Sequence, residues 1–348
     1  MTAVERVVST LASTDEQRRR IDELFAPATV THLDRRDRAG VERVLDDVDV
    51  AVLRGNAWPA FLDRSRLRWV HCGHAGLDGF APRQLIDQVA LTSSAGRSAA
   101  ALAEHAVMFL LALAYELPRF RRAQRAQVWG IPGQRDLRGL GARRVLVVGT
   151  GHTGSALARL LTAFGAEVIG LRRRDRPVDG FDEIRSLDAG HRLVDAVADV
   201  DAVVLAASLN DGSRGSVDRP VLTAMRPDAL LVNVARGGLV DEPALVDVLR
   251  SGHLGGVGLD VTAVEPLPVG SPLWRAPRTL ITPHVTAPVT DRDAATMAIL
   301  AENVVRYREG RPLLNRLGPD DALEATEERP AVPGRWDRGW RRLAGRWL

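Results

Sequence analysis

Ten residues in mid-chain decide the fold, and they read Val-Leu-Val-Val-Gly-Thr-Gly-His-Thr-Gly from 145 to 154. A buried apolar run leads directly into a Gly-x-Gly-x-x-Gly turn, and a helical pattern and a second strand pattern follow. In this motif the first glycine permits a tight turn, the second admits a pyrophosphate close to the backbone, and the third lets the helix pack on the sheet. We therefore predict a dinucleotide site at the following residues: Gly149, Gly151, His152, Thr153 and Gly154.

Three arginines follow the second strand, where an NAD enzyme usually carries an acidic residue that binds the ribose hydroxyls. Arg172, Arg173 and Arg174 stand at this place. A carboxylate would repel the 2′-phosphate of NADP, whereas guanidinium groups bind phosphate in bidentate fashion. A solvated loop in an arginine-rich protein is the alternative interpretation. The missing acid favours NADP(H), held by Arg172 and Arg173, while NAD(H) stays possible.

The composition excludes several classes of function. All 47 basic residues are arginine, and a net charge of +3 is small for 348 residues, so no nucleic-acid partner is indicated. The single cysteine, Cys72, rules out an internal disulfide and a cysteine-based metal cluster, and we predict no metal site. The most apolar stretch, 106–115, is too short to span a bilayer, and the N-terminus does not have the order of a signal peptide. We therefore expect a cytoplasmic protein.

Strand and helix patterns alternate along the chain, which is typical of α/β folds with parallel sheets and crossover helices. Four strand patterns lie in the first hundred residues, and six more lie from Val145 to Thr282. A long apolar helix is predicted over 99–117, ended by Pro118. A second long helix, over 291–307, could return the chain to the first domain.

These patterns predict two Rossmann-like or flavodoxin-like parallel-sheet domains with a cleft between them. Residues 1–98 and 291–320 would form a discontinuous substrate domain, and 99–290 the NAD(P)-binding Rossmann domain. The tail, 321–348, is acidic, then proline-rich, then rich in tryptophan and arginine. Such a tail could touch a membrane or a partner, but it more often packs on its own protein or stays mobile, so membrane contact is not favoured.

Polar residues follow three predicted strands of the second domain, at the sheet edge where open α/β sheets bind their ligands. Reduction of a ketone needs a proton at the oxygen as hydride reaches the carbon, and His284 suits that role. Glu265 would favour the charged imidazolium and fix the ring. The planar fork of Arg236 can hold a substrate carboxylate and polarise its carbonyl. Each residue alone could be structural, but their joint position favours catalysis.

The chain resembles the D-isomer specific 2-hydroxyacid dehydrogenases from its first strand to about Leu317. The resemblance rests on the glycine turn and on segments 67–70, 74–78, 103–105, 233–237, 258–261, 265–268, 272–274 and 283–284. It implies that Arg236, Glu265 and His284 are the catalytic residues. It also implies that Asp260 contacts the nicotinamide amide, and that substrate carboxylate is bound by the backbone N–H groups of His74, Ala75 and Gly76. Members are commonly homodimers, with the helix from residue 99 at the interface.

Within this family the chain resembles most closely the glyoxylate and hydroxypyruvate reductase subgroup. In that subgroup, basic residues after the second strand accompany the use of NADPH. Segments 208–210 and 286–288 depart from the family pattern, so the substrate stays open. We predict reversible NAD(P)H-dependent reduction of a small 2-oxo acid to a D-2-hydroxy acid. Two alternatives are a dehydrogenase of another small anion, such as phosphite, and a non-catalytic dinucleotide sensor.

Overall fold

The structure, a computed structural model, describes residues 4–77, 80–285 and 292–324. Within these ranges the strands form two parallel sheets, one of five strands and one of seven. The first sheet has the order β2-β1-β3-β4-β5. Its strands are β1 (Arg6–Ser9), β2 (Thr29–His32), β3 (Val50–Leu53), β4 (Trp69–Cys72) and β5 (Ala90–Ser93). Strands β3 and β4 are buried along their whole length, as central strands covered on both faces should be.

Four helices accompany the first sheet: α1 (Asp15–Phe25), α2 (Arg38–Val44), α3 (Arg83–Gln88) and, from much later in the chain, α10 (Arg292–Glu309). Helix α10 buries Met297, Leu300 and Val304 in one cluster with Val7 and Ile21. The chain thus returns to the first sheet after building the second. The predicted limits of the discontinuous domain stay a prediction.

The second sheet has the order β12-β11-β10-β9-β6-β7-β8. Its strands are β6 (Arg144–Val148), β7 (Glu167–Arg172), β8 (Glu183–Ser186), β9 (Ala202–Leu205), β10 (Leu230–Asn233), β11 (Gly256–Leu259) and β12 (Thr279–Ile281). The accompanying helices are α4 (Ala99–Ala114), α5 (Leu117–Arg125), α6 (His152–Ala163), α7 (Leu193–Ala196), α8 (Arg219–Ala224) and α9 (Glu242–Arg250). Strand order reverses between β6 and β9, and such a switch point opens a crevice at the carboxyl ends of the strands.

The predicted helix over 99–117 was wrong at its end. Helix α4 stops at Ala114, and Glu116 adopts a left-handed φ of 49°. Pro118 lies in the first turn of α5, where its missing N–H costs nothing, so it begins a helix rather than ending one. Strands β5 and β8 were not predicted from the sequence.

Among the described residues no single helix is long and apolar enough to cross a membrane; α4 and α5 pass such a test only as a pair, bent by 60°. The tryptophan- and arginine-rich segment 325–348 lies outside the described residues, as do Asp78 of the predicted substrate loop motif and the departure at 286–288.

Candidate active site

The glycine turn lies between β6 and α6, at the switch point of the second sheet. Gly149 has a φ of +98°, and a Cβ there would lie 2.6 Å from the Ala207 nitrogen. A Cβ on Gly154 would lie 2.0 Å from the Gly149 carbonyl oxygen. At Gly151, by contrast, a Cβ would have no atom of the described chain within 4 Å. The first and third glycines are thus required by packing, while the second faces open space above a helix N-terminus, which is suited to a phosphate.

His152, the first residue of α6, links the turn to the chain that crosses between the two sheets. Its Nε2 lies 3.0 Å from the Asn315 side-chain oxygen. Asn315 in turn donates to the carbonyl oxygens of Ser93, at 3.2 Å, and Ala95, at 2.9 Å. Thr153, the next residue of the predicted coenzyme site, is half-buried in the first turn of α6. His152 therefore has a structural contact besides its predicted coenzyme role.

Arg172 is the last residue of β7 and faces other positive charges. Its Nε is buried without a hydrogen-bond partner among the described residues, and its Nη1 donates to the Arg176 carbonyl oxygen at 3.3 Å. Burial lowers the pKa of Arg172, and the charges of Arg176 and Arg174 lower it further. An anion bound here would relieve that repulsion, so this side chain fits a phosphate group.

Arg173 has a different environment, which no pattern in the sequence indicated. Its Nη1 lies 3.1 Å from a carboxylate oxygen of Asp320, and its Nη2 lies 3.0 Å from one of Asp321. The second guanidinium of the predicted phosphate site is thus already paired with two acids from the end of the described chain.

His284 and Glu265 are brought together as predicted. The imidazole Nδ1 lies 2.7 Å from Glu265 Oε2, and both side chains are partly exposed, at 30% and 24%. The Thr262 N–H donates to Glu265 Oε1 at 3.2 Å, and the His284 N–H donates to the Asp260 carbonyl oxygen at 2.7 Å. With Nδ1 bound to the carboxylate, the ring orientation is fixed and Nε2 is the nitrogen left for proton transfer.

Asp260 follows β11 and is almost fully buried, at 1% exposure. Its Oδ1 accepts hydrogen bonds from Thr282 Oγ1 at 2.6 Å and from the Val285 N–H at 3.0 Å. Its Oδ2 is buried and has no hydrogen-bond partner within the described chain. A buried acceptor without a donor is costly, so Oδ2 suits a donor brought by a ligand, such as the amide of a nicotinamide.

His105 of α4 completes this network, and sequence reasoning assigned it no role. Its Nε2 lies 2.9 Å from Thr282 Oγ1 and 3.6 Å from Asp260 Oδ1. The ring packs edge-on against Phe109. The sequence offered only the presence of a histidine in segment 103–105. Its partner Thr282 lies 177 residues later in the chain, so the contact became visible only in the structure.

Arg236 lies on the loop after β10, which buried Asn233 holds in shape. Asn233 Nδ2 donates to the Arg236 carbonyl oxygen at 2.9 Å, and Arg236 Nη1 donates to the Ala235 carbonyl oxygen at 2.7 Å. The neighbouring Gly237 is packed so closely that a Cβ would lie 1.9 Å from the Thr262 carbonyl carbon. The arginine loop therefore packs directly on the loop that carries Glu265.

Glu242, at the start of α9, is a further acid in this region that sequence reasoning missed. Its Oε1 accepts a hydrogen bond from the Ala263 N–H at 2.6 Å. Burial raises the pKa of Glu242, this hydrogen bond opposes the rise, and the charge of Glu265 adds to it. Glu242 thus fastens the loop that presents Glu265.

The predicted substrate loop follows β4 of the first sheet. His74 is exposed, and its carbonyl oxygen accepts a hydrogen bond from the Ser94 N–H at 3.0 Å. Ala75 and Gly76 are half-buried. The structure therefore puts this loop on the first domain and the His284–Glu265 pair on the second.

The described residues contain no cluster of histidine, cysteine and acidic side chains able to hold a metal ion. They do fit a nicotinamide dinucleotide, because the glycine cradle, the buried Asp260 Oδ2 and the Arg172 cation suit its pyrophosphate, its amide and an anionic ribose substituent respectively.

Known proteins resemble the chain. The family model "D-isomer specific 2-hydroxyacid dehydrogenase, NAD binding domain" matches residues 107–286. D-3-phosphoglycerate dehydrogenase of Mycobacterium leprae is 34% identical over 58% of the chain. Glyoxylate/hydroxypyruvate reductase A of Serratia proteamaculans is 32% identical, also over 58%. These matches cover only 37% and 63% of the two enzymes' own lengths.

A solved structure matches more of the chain. The D-isomer specific 2-hydroxyacid dehydrogenase of Xanthobacter autotrophicus, in complex with NADPH and MES, is 31% identical and superposes with a TM-score of 0.72, covering 91% of this chain and 99% of that one. With the family model matching more than half of its length, this chain belongs to the D-isomer specific 2-hydroxyacid dehydrogenases, NAD(P)-dependent oxidoreductases that act on CH–OH groups.

Proposed function

We propose that the protein reduces a small 2-oxo acid to a D-2-hydroxy acid, with NADP(H) as the preferred coenzyme and His284 as the acid/base. The observation that carries the proposal is the 2.7 Å contact between His284 Nδ1 and Glu265, in a pair that solvent still reaches. A module that only bound a dinucleotide would not need this arrangement. Reduction of 2-oxo acids is the chemistry of the family.

The bound coenzyme would supply a hydride to the carbonyl carbon. His284 would donate a proton from Nε2 to the carbonyl oxygen, so that ketone, hydride and proton together give the alcohol. Glu265 would stabilise the imidazolium before the transfer and hold its ring afterwards. In the reverse direction the same histidine, neutral, would accept the hydroxyl proton.

Arg236 would bind the substrate carboxylate and polarise the carbonyl, because a guanidinium holds a carboxylate through two parallel hydrogen bonds. The braced loop around it supports this role, since Asn233 and the close packing at Gly237 limit its motion. Backbone N–H groups at 74–76, on the other domain, would complete the carboxylate site when the cleft closes and excludes water.

The preference for NADP(H) is supported by Arg172, the last residue of β7, which lies beside the positive charges of Arg174 and Arg176. The Xanthobacter relative was solved with NADPH. Asp260 would accept a hydrogen bond from the nicotinamide amide through its buried Oδ2.

A homodimer in the cytoplasm is the assembly that we propose. The region after α4 exposes large apolar side chains, which are Tyr115, Leu117, Val128 and Trp129, the last of them fully exposed at 102%. A monomer would leave this surface in water, whereas a second copy could cover it. Sedimentation equilibrium would test this, since a monomer at micromolar concentration would contradict it.

A substrate panel tests the proposed function. Purified protein should oxidise NADPH in the presence of glyoxylate, hydroxypyruvate or phenylpyruvate, and should use NADH less well. Coenzyme binding without turnover of any 2-oxo acid would favour the sensor alternative. Turnover of phosphite with an oxidised coenzyme, and none of 2-oxo acids, would favour the dehydrogenase of another anion.

A further inference from the structure

The end of the described chain spans the two domains. We name residues 318–324 the C-terminal strap; it includes a 3-10 turn over Pro319–Asp321. On the first domain, the Leu323 N–H donates to the Ala81 carbonyl oxygen at 3.0 Å. On the second, the Ala322 carbonyl oxygen accepts from the Asp211 N–H at 3.2 Å, and the Glu324 N–H donates to the Asp211 carboxylate at 3.0 Å. The strap is therefore hydrogen-bonded to both domains.

The strap also delivers two carboxylates to one arginine of the coenzyme site. Asp320 contacts Arg173 through its side chain at 3.1 Å and its carbonyl oxygen at 3.2 Å, and Asp321 contacts it at 3.0 Å. Asp321 uses its other oxygen to accept the Gly318 N–H at 2.9 Å. The Asp320 side chain is 69% exposed, so it contributes little packing. Its contact with Arg173 is therefore mainly electrostatic.

These contacts take up the part of Arg173 that a phosphate would need. A phosphate dianion and two adjacent carboxylates carry similar charge, and each is recognised by the N–H groups of a guanidinium fork. Arg172, one residue earlier, has no such acidic partner among the described residues and is left with the repulsion of Arg174 and Arg176. The two arginines of the proposed phosphate site are thus electrostatically unequal.

We propose that Asp320 and Asp321 determine coenzyme specificity, by occupying Arg173 and competing with the 2′-phosphate of NADP(H). The acids lower the affinity for NADP(H) and leave that for NAD(H) unchanged, since NAD(H) has no phosphate to compete. This inference rests on the proposed use of NADP(H). It differs from a purely structural role, in which the ion pairs would anchor the strap and their loss would change stability without distinguishing the two coenzymes.

The test compares the dissociation constants of NADP⁺ and NAD⁺ by isothermal titration calorimetry, in the full chain at fixed ionic strength. Asp320→Asn and the double variant Asp320→Asn/Asp321→Asn remove the competing charge. A partly exposed ion pair changes an affinity by about threefold, so the double variant should bind NADP⁺ about tenfold more tightly and NAD⁺ within twofold of wild type. The single variant Asp320→Asn should bind NADP⁺ about threefold more tightly than wild type. The exposed side chain of Asp320 makes little packing contact, so this variant should fold normally.

A matched control separates competition from general electrostatics. Asp175→Asn/Asp179→Asn changes the net charge equally, and both aspartates are exposed residues just after the arginine run. This control should leave NADP⁺ affinity within twofold. An equal gain in the control, or a strap variant that gains affinity for both coenzymes alike, overturns the inference.

Arg173→Ala shows which idea has failed. If it weakens NADP⁺ selectively while the strap variants bind NADP⁺ like wild type, Arg173 binds the phosphate without competition, and only the inference is overturned. If neither Arg173→Ala nor Arg172→Ala weakens NADP⁺ relative to NAD⁺, the proposed coenzyme preference fails, and the inference fails with it.

Discussion

Two glycines of one turn should respond to the same substitution in opposite ways. Gly154→Ala puts a Cβ 2.0 Å from the Gly149 carbonyl oxygen and 3.3 Å from Val147 Cγ1. The oxygen belongs to Gly149, whose N–H donates to the Leu171 carbonyl oxygen at 2.8 Å and which lies close against the backbone of Ala207, so it has little freedom to move. Overpacking costs about 1–3 kcal/mol, and a 2.0 Å approach to a backbone oxygen calls for the upper end of that range. From this cost the roughly 1 kcal/mol that alanine gains over glycine inside a helix must be subtracted.

Gly154→Ala should therefore lower the free energy of unfolding by about 2 kcal/mol, which corresponds to a melting temperature lower by roughly 4–8 °C for a domain of this size. Gly151→Ala should leave stability within about 0.5 kcal/mol, because its φ of −76° and ψ of −159° suit any residue and its Cβ has open space. That space is where we expect the pyrophosphate, so the same methyl group should weaken coenzyme binding about tenfold or more.

The assay pairs urea unfolding with calorimetric titration of NADP⁺, for both variants and for Gly270→Ala. Gly270 lies on an exposed loop, and a Cβ there meets no atom of the described chain within 4 Å, so this control should change neither quantity. Wild-type coenzyme binding by Gly151→Ala, or unfolding of Gly154→Ala at the wild-type urea concentration, would contradict the packing described for these two glycines.

Three further predictions concern titrating groups. The Arg185 guanidinium, with Arg144, holds the pKa of Asp199 well below its ordinary value against the opposing effect of burial. Asp199→Asn should thus lower the free energy of unfolding at pH 7 by about 1 kcal/mol, a small value because the carboxylate is 44% exposed to solvent. In urea unfolding measured at several pH values, this difference from wild type should shrink as the pH falls below about 4, where the wild-type carboxylate becomes protonated in the unfolded chain. Burial raises the pKa of Cys72 to about 12, so a thiol reagent at pH 8 should label it only in the unfolded protein, and stoichiometric labelling of the native protein would contradict its placement. Glu242→Ala removes the acceptor for the Ala263 N–H, which helps to hold the loop that carries Glu265, and should lower kcat/KM about fivefold. Glu242→Gln keeps an acceptor and should keep most of the activity. Equal losses of kcat/KM in the two variants would rule out a role of Glu242 in positioning this loop.

The part of the site that could be predicted is the part encoded in local motifs. The glycine turn, and the strand ends that carry Arg236, Glu265 and His284, follow from short patterns, because a parallel sheet brings the carboxyl ends of its strands to one edge. The pairing of Glu265 with His284 could be predicted for the same reason.

What could not be predicted depends on long-range contacts or on weak patterns. The pairing of Arg173 with Asp321 joins residues 148 apart, and no periodicity indicates it. Strand β8 reads Glu-Ile-Arg-Ser and lacks the apolar run that marks a buried strand. The break between α4 and α5 depends on the left-handed backbone conformation of Glu116. Glutamate rarely adopts this conformation, so the residue type gives no sign of the break.

The proposed reduction depends on His284 as the proton donor, and a variant without its imidazole separates catalysis from coenzyme binding. His284→Ala should be assayed for NADPH oxidation with the best 2-oxo acid of the panel, and for NADP⁺ binding by calorimetry. Loss of the general acid should lower kcat by about 10²–10⁴-fold. The dissociation constant of NADP⁺ should stay within about threefold of wild type, since the histidine holds a proton rather than the coenzyme. A variant that keeps wild-type turnover, or that loses coenzyme binding together with turnover, would contradict the account.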